Sequence, residues 1–164
     1  MKKLTYAIFM ILSFMTFQYT VAQEHAVGLG IIIGEPTGIS AKFWTSQNNA
    51  IDVGLGWSMG GDWTGRYNGY MYRRDRVHIH MDYLWHAFDA LRSTERFPLY
   101  YGFGGRINSG SGYESSLAIR GVFGIAWMPR DTPIDVFLEL VPSMQLSPGS
   151  AFCIDAAIGV RYFF

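Results

Sequence analysis

From residue 27 onward the chain alternates between two kinds of residue with a period of two. Val27, Leu29, Ile31 and Ile33 alternate with Gly28, Gly30, Ile32 and Gly34, and Ile39, Ala41 and Phe43 with Ser40, Lys42 and Trp44. The third run sets Ile51, Val53, Leu55, Trp57 and Met59 against Asp52, Gly54, Gly56 and Ser58, and the fourth sets Val77, Ile79, Met81, Tyr83 and Trp85 against His78, His80, Asp82, Leu84 and His86. Phe97, Leu99, Tyr101, Phe103 and Ile107 then oppose Tyr100, Gly102, Gly104 and Arg106, while Leu117, Ile119, Phe123, Ile125 and Trp127 oppose Ala118, Arg120, Val122, Gly124 and Ala126. The seventh run places Val136, Leu138, Leu140 and Met144 against Asp135, Phe137, Glu139, Val141, Ser143 and Gln145, and the eighth is Ala151 to Phe164. Successive strand side chains point to opposite faces, so each run predicts a strand with one oily face and one small or charged face.

Alternation does not say which face is outside, because soluble barrels alternate as well. Volume decides. The interior of an eight-stranded barrel is just wide enough for side chains to fill, and a set rich in Trp, Ile, Leu, Phe and Met would overfill it. The Gly, Ala and Ser set with a few long charged residues fits. The expected fold is therefore all-β, an eight-stranded antiparallel up-and-down transmembrane β-barrel with its oily residues toward lipid and no unpaired edge in hydrocarbon.

An even strand count puts both ends on the periplasmic side. Periplasmic turns are then expected at Ser46 to Asn49, Phe88 to Arg96 and Pro129 to Pro133, and external ones at Glu35 to Gly38, Gly60 to Asp75, Asn108 to Glu114 and Ser147 to Ser150. Phe43, Trp85, Phe97, Trp127, Tyr162 and Phe164 fall near the periplasmic rim and Trp57 and Phe152 near the outer one, the two aromatic girdles of such barrels. Tyr67-Asn68-Gly69-Tyr70 predicts a two-residue hairpin turn. Its register sum is odd while the flanking strands need an even one, so an extra residue is expected at a Gly60-Gly61 bulge.

The N-terminus departs from this pattern. Lys2 and Lys3, an apolar run from Tyr6 to Phe17 and then Thr20-Val21-Ala22 predict a signal peptide over 1–22, cleaved after Ala22, with the barrel over 23–164. The run is shorter than the ~20 residues a membrane-anchoring helix needs. Thirteen basic residues balance thirteen acidic ones in the full chain, and removing Lys2 and Lys3 leaves 11 against 13, which indicates no nucleic-acid partner. Charged residues make up only 16% against 49% apolar. Cys153 is the single cysteine, so no internal disulfide is possible.

The inward set supplies the candidate chemistry: Lys42, Arg106, Arg120 and Arg161 with Asp52, Asp82, Asp135, Glu139 and Asp155. Buried charges persist when paired, so a luminal ion-pair network is expected. Hairpin arithmetic puts Lys42 near Asp52, Asp135 across from Arg161, and Arg120 within diagonal reach of Glu139. The preferred reading is that these pairs plug and stiffen the barrel, the rival being a small-solute channel. His78 and His80 project to one side and with a third ligand could chelate a metal, but His-x-His more often belongs to an ordinary network, and neither a metal nor a cofactor is expected. A lipid-modifying enzyme would need a nucleophile and base within reach, and no outward His and Ser set provides them. Surface binding is the remaining class: Trp63, Arg66, Tyr67, Tyr70, Tyr72, Arg73 and Arg74 in the long external segment are of the types that dominate interfaces. They also suit the headgroup and sugar boundary of an outer leaflet.

Two resemblances add to this. Ala157-Ile158-Gly159-Val160-Arg161-Tyr162-Phe163-Phe164 resembles the C-terminal assembly signal of outer-membrane barrels, with Ala157 where a polar residue is usual. The alternating whole of Val27 to Phe164 resembles the OmpA and OmpX type of eight-stranded barrel, and Gly28 to Ser40 is similar to the first hairpin of a family of small bacterial envelope barrels. The resemblance implies an outer-membrane location, outer-membrane lipids and the barrel-assembly machinery (engaging Phe164) as partners, and surface binding of an extracellular or host protein. It carries no catalytic residue. A monomer is expected.

Overall fold

The computed structural model describes residues 26–58, 76–91, 93–110 and 113–164. Within them eight strands form one closed antiparallel barrel in which each strand pairs with its sequence neighbours and β1 with β8. The strands are β1 (Val27–Gly34), β2 (Thr37–Trp44), β3 (Asn49–Ser58), β4 (Arg76–Ala87), β5 (Leu99–Gly110), β6 (Tyr113–Trp127), β7 (Ile134–Ser147) and β8 (Ala151–Phe163). The expected leader over 1–22, the Gly60-Gly61 bulge and the Asn68-Gly69 turn lie outside the described residues.

The partition of side chains follows sequence parity. Phe103, Met81, Ile119, Leu140, Ile154 and Trp57 are among the large apolar residues exposed on the outer face. Lys42, Asp52, Arg120, Asp135, Glu139 and Arg161 are buried on the inner face, in company with Leu84, Val122, Phe137 and Val141. The interior is thus ionic and apolar at once, and the exterior is apolar.

Small residues make this interior possible. Gly54 faces His80 in the β3–β4 register and Gly124 faces Tyr100 in the β5–β6 register. A Cβ on either glycine would overlap the ring opposite. The barrel wall varies in height: β1 and β2 have 8 residues each, while β6 has 15 and β7 has 14. Gly34 closes β1 with φ of 135°, a conformation that favours glycine. Thr37 Oγ1 ties that turn by donating to Gly34 O at 3.0 Å and accepting from Gly34 N at 3.1 Å.

The connections 45–48, 88–91, 93–98 and 128–133 gather at one end, here the lower rim, and 35–36 and 148–150 at the upper rim. Three details differ from the sequence expectation. First, β5 begins at Leu99, not Phe97, because Pro98 has no N–H to give; before it the pairing survives as a single bridge, Arg96 to Met128. Second, the register shifts between Asn108 and Gly110 against β6, and between Leu117 and Ala118 against β7, both toward the upper rim, where bulges commonly end or redirect pairing. Third, β6 starts at Tyr113, four residues before Leu117. The middle of β7 also carries Pro142, and the β6–β7 ladder has no pairs at Gly121 and Val122.

Candidate functional site

The luminal face of β2, β3, β7 and β8 converges on Arg161. Its Nε donates to Ser40 Oγ at 2.8 Å, its Nη1 lies 3.3 Å from Asp135 Oδ2, and its Nη2 pairs with Asp52. The guanidinium carbon sits 3.7 Å from the Phe137 ring centroid. One planar fork thus meets three strands and one aromatic face, a task for which Arg is better shaped than Lys. Ser40 Oγ in turn donates to Asp52 Oδ1 at 3.3 Å.

Lys42 lies beside Asp52 as expected, but its ammonium bonds elsewhere. It faces Asp52 in the β2–β3 register, but Arg161 and Ser40 occupy that carboxylate, and the Lys42 ammonium donates to Asp135 Oδ2 at 3.0 Å. His86 Nε2 lies 3.4 Å away, and the rings of Tyr100 and Trp44 are at 5.1 and 5.6 Å. Asp135 stands opposite Arg161 in the β7–β8 register and so serves two cations.

Arg120 corrects an expected pairing, the diagonal one with Glu139. Across the ladder it faces Ser143, four residues from Glu139, and its Nε reaches the other way to Asp82 Oδ2 at 3.2 Å. Glu139 accepts a 2.8 Å hydrogen bond from Tyr100. The β6–β7 register, constant from Ala118 to Trp127, puts Glu139 beside Gly124 and out of diagonal reach of Arg120. Toward the upper rim Arg106 pairs with Asp155 across the barrel.

His78 and His80 project inward side by side, with His78 Nε2 3.0 Å from His80 Nδ1. Arg120 Nη1 is also 3.3 Å from His78 Nε2. Arginine can only donate, so His78 Nε2 accepts from Arg120 and its lone pair is engaged. His80 Nε2 lies 3.9 Å from Asp82. Among the described residues no group of three or more His, Cys, Asp or Glu is arranged to hold a metal ion.

The lower mouth is filled by rings. Trp44 lies 4.5 Å from His86, 6.0 Å from Phe88 and 6.5 Å from Phe163, and His86 stacks on Tyr100 at 5.0 Å. On the outer face at the same end Trp85 packs with Tyr83, Tyr101 and Phe103, and Tyr162 with Phe164. Sequence reasoning left Ser40, Tyr100 and His86 out of the charged network. The available signal was the glycine opposite an inward large residue, as at Gly124 and Tyr100. The external candidates Trp63, Arg66, Tyr67, Tyr70, Tyr72, Arg73 and Arg74 lie outside the described residues.

No protein-family model matches the chain, and no curated protein matches its sequence. Among solved structures it is similar to the N-terminal β-barrel domain of Pseudomonas aeruginosa OprF, at 13% identity and a TM-score of 0.48, over 84% of this chain and 95% of that one. It is also similar to Ail, the attachment invasion locus protein of Yersinia pestis, at 9% identity and a TM-score of 0.40, over 84% of this chain and 93% of that one.

Proposed function

We propose that this is an integral barrel of the bacterial outer membrane, plugged through its centre by ionic and aromatic side chains, which serves as a rigid scaffold for external segments that bind at the cell surface. The observation that carries the reading is the inverted partition of side chains, with Met81, Phe103, Ile119 and Leu140 on the exposed face and Arg161, Lys42 and Asp135 at 0–1% exposure inside. In water such an exterior is one large apolar patch, which soluble monomers do not carry. In a bilayer it is the ordinary lipid face of a closed barrel. The lower rim is read as periplasmic, and the strand-end Phe163 and the adjoining Phe164 as the part met by the assembly machinery.

A plug is favoured over a conduit because contacts between non-adjacent strands come at several levels, from Trp44 with Phe163 at the lower mouth through Lys42 with Asp135 and Arg161 with Asp52 to Arg106 with Asp155. A non-enzymatic role is favoured because the luminal histidines are engaged in buried contacts, His78 with His80 and Arg120, His80 with Asp82, and His86 with Lys42. Quenching of Trp57 and Trp127 fluorescence by brominated lipids tests the location. Strong quenching in reconstituted bilayers is expected, and its absence rejects the membrane reading. Surface labelling at Asn68, followed by substitution of Trp63, Tyr67, Tyr70 and Arg73 with a cell-adhesion readout, tests the binding role.

A further inference from the structure

Every neighbouring strand pair in the barrel is joined through a connection in the chain except β1 and β8. A hairpin sets register through its turn, whereas this seam has none. A two-residue slip would keep every side chain on its own face, so the alternating pattern alone cannot oppose it. We propose that the seam is keyed by its luminal side chains, with Arg161 as the residue that selects the register.

The inward pairs across the seam are Gly28 with Phe163, Gly30 with Arg161, Ile32 with Gly159 and, at the upper end, Gly34 with Ala157. The first three set glycine against a large residue. A Cβ on Gly28 would lie 2.8 Å from the Phe163 ring, and one on Gly30 would overlap the Val160 carbonyl oxygen and crowd Arg161 Cα at 2.6 Å. Slip in one direction would bring Ile32 against Arg161, two large side chains where the wall accepts one. Slip in the other would bring Gly28 against Arg161 and Gly30 against Gly159, which size tolerates apart from a void. What opposes that second slip is charge: it carries Arg161 one rung along the wall, away from Ser40 and Asp52, which β2 and β3 hold in place on the far side of the seam. Volume excludes one error and the guanidinium fork excludes the other. Closure of the barrel and completion of the inner ion cluster are then one event, and Arg161 is a positioning residue.

The test is disulfide trapping in the full chain with Cys153→Ser, folded in detergent. Ile31→Cys is combined with Val160→Cys for the observed register, with Ile158→Cys for the charge-opposed slip, or with Tyr162→Cys for the size-opposed one. With Arg161 present, only the 31–160 cross-link is expected. With Arg161→Ala the ratio of 31–158 to 31–160 product rises about tenfold or more, the scale of losing one charge-assisted hydrogen bond. Ser40→Ala and Arg161→Lys give smaller rises and cover the case in which Arg161→Ala does not fold. Tyr100→Phe weakens the lumen away from the seam and leaves the ratio unchanged. The proposal is overturned if the folded variants at 40 and 161 give the parent ratio, or if Tyr100→Phe raises it as much as they do.

Discussion

Lys42 stands directly opposite Asp52, yet its ammonium bonds Asp135, on a strand three places round the barrel. The cause is competition for Asp52, whose carboxylate is held by Arg161 and Ser40. Asp135→Ala leaves Lys42 fully buried with only His86 and two ring faces, and removing one partner of a buried pair costs about 3–5 kcal/mol. The double change Lys42→Met with Asp135→Leu removes the stranded charge and is expected to recover most of that loss. Urea titration of the barrel in micelles, followed by tryptophan fluorescence, measures both.

Tyr100 and Gly124 form a second testable unit. Tyr100→Phe leaves the buried Glu139 without its 2.8 Å donor and is expected to destabilise by about 1–3 kcal/mol. Gly124→Ala drives a methyl into the Tyr100 ring, an overpacking that costs about 1–3 kcal/mol. In a Tyr100→Ala background the same Gly124→Ala change should cost almost nothing. A double-mutant cycle reads this coupling, and additive costs would show that the ring is not what the glycine accommodates.

The outer face makes a depth-dependent prediction. Leu140→Arg, in the middle of β7, should cost about 2–4 kcal/mol in a bilayer, and Phe152→Arg, near the upper rim, about 0–1 kcal/mol. Equal costs at the two positions, measured by reversible unfolding from lipid vesicles, would contradict a lipid environment that varies with depth.

Pro142 supplies a prediction of the opposite sign. It is outward on β7, where β6 has no paired partner at Gly121 or Val122. Pro142→Val provides the missing N–H, and a gain of about 0.5–1.5 kcal/mol is expected with slower amide exchange at Gly121, the residue opposite it on β6. Unchanged exchange there would place the cause of the gap in Gly121.

Strand number, sidedness and most strand limits are legible in the sequence because a period of two and a limit on interior volume are local and additive constraints. Asp135 and Arg161 are likewise legible as facing residues, since a short turn fixes their register. Long-range partners are not legible. Arg120 turns to Asp82 on β4, and Lys42 to Asp135 on β7, because a long flexible side chain crosses the lumen to whichever acid its neighbours have left. The upper-rim bulges could not be anticipated from alternation, since one extra residue changes the register without changing which residue types appear. Pro142 gives no warning either, as its place in the pattern is apolar with or without a donor.

The uneven wall has a mechanical consequence for the surroundings. The exposed greasy band runs only from Leu29 to Ile33 on β1, but from Leu138 to Leu146 on β7, a difference of four residues or about 13 Å along the strand at ~3.3 Å per residue. On the proposed membrane reading, acyl chains beside β1 and β2 would meet a short wall while those across the molecule would meet a tall one. The bilayer has to thin on the short side, or the barrel axis has to lean until the two heights agree.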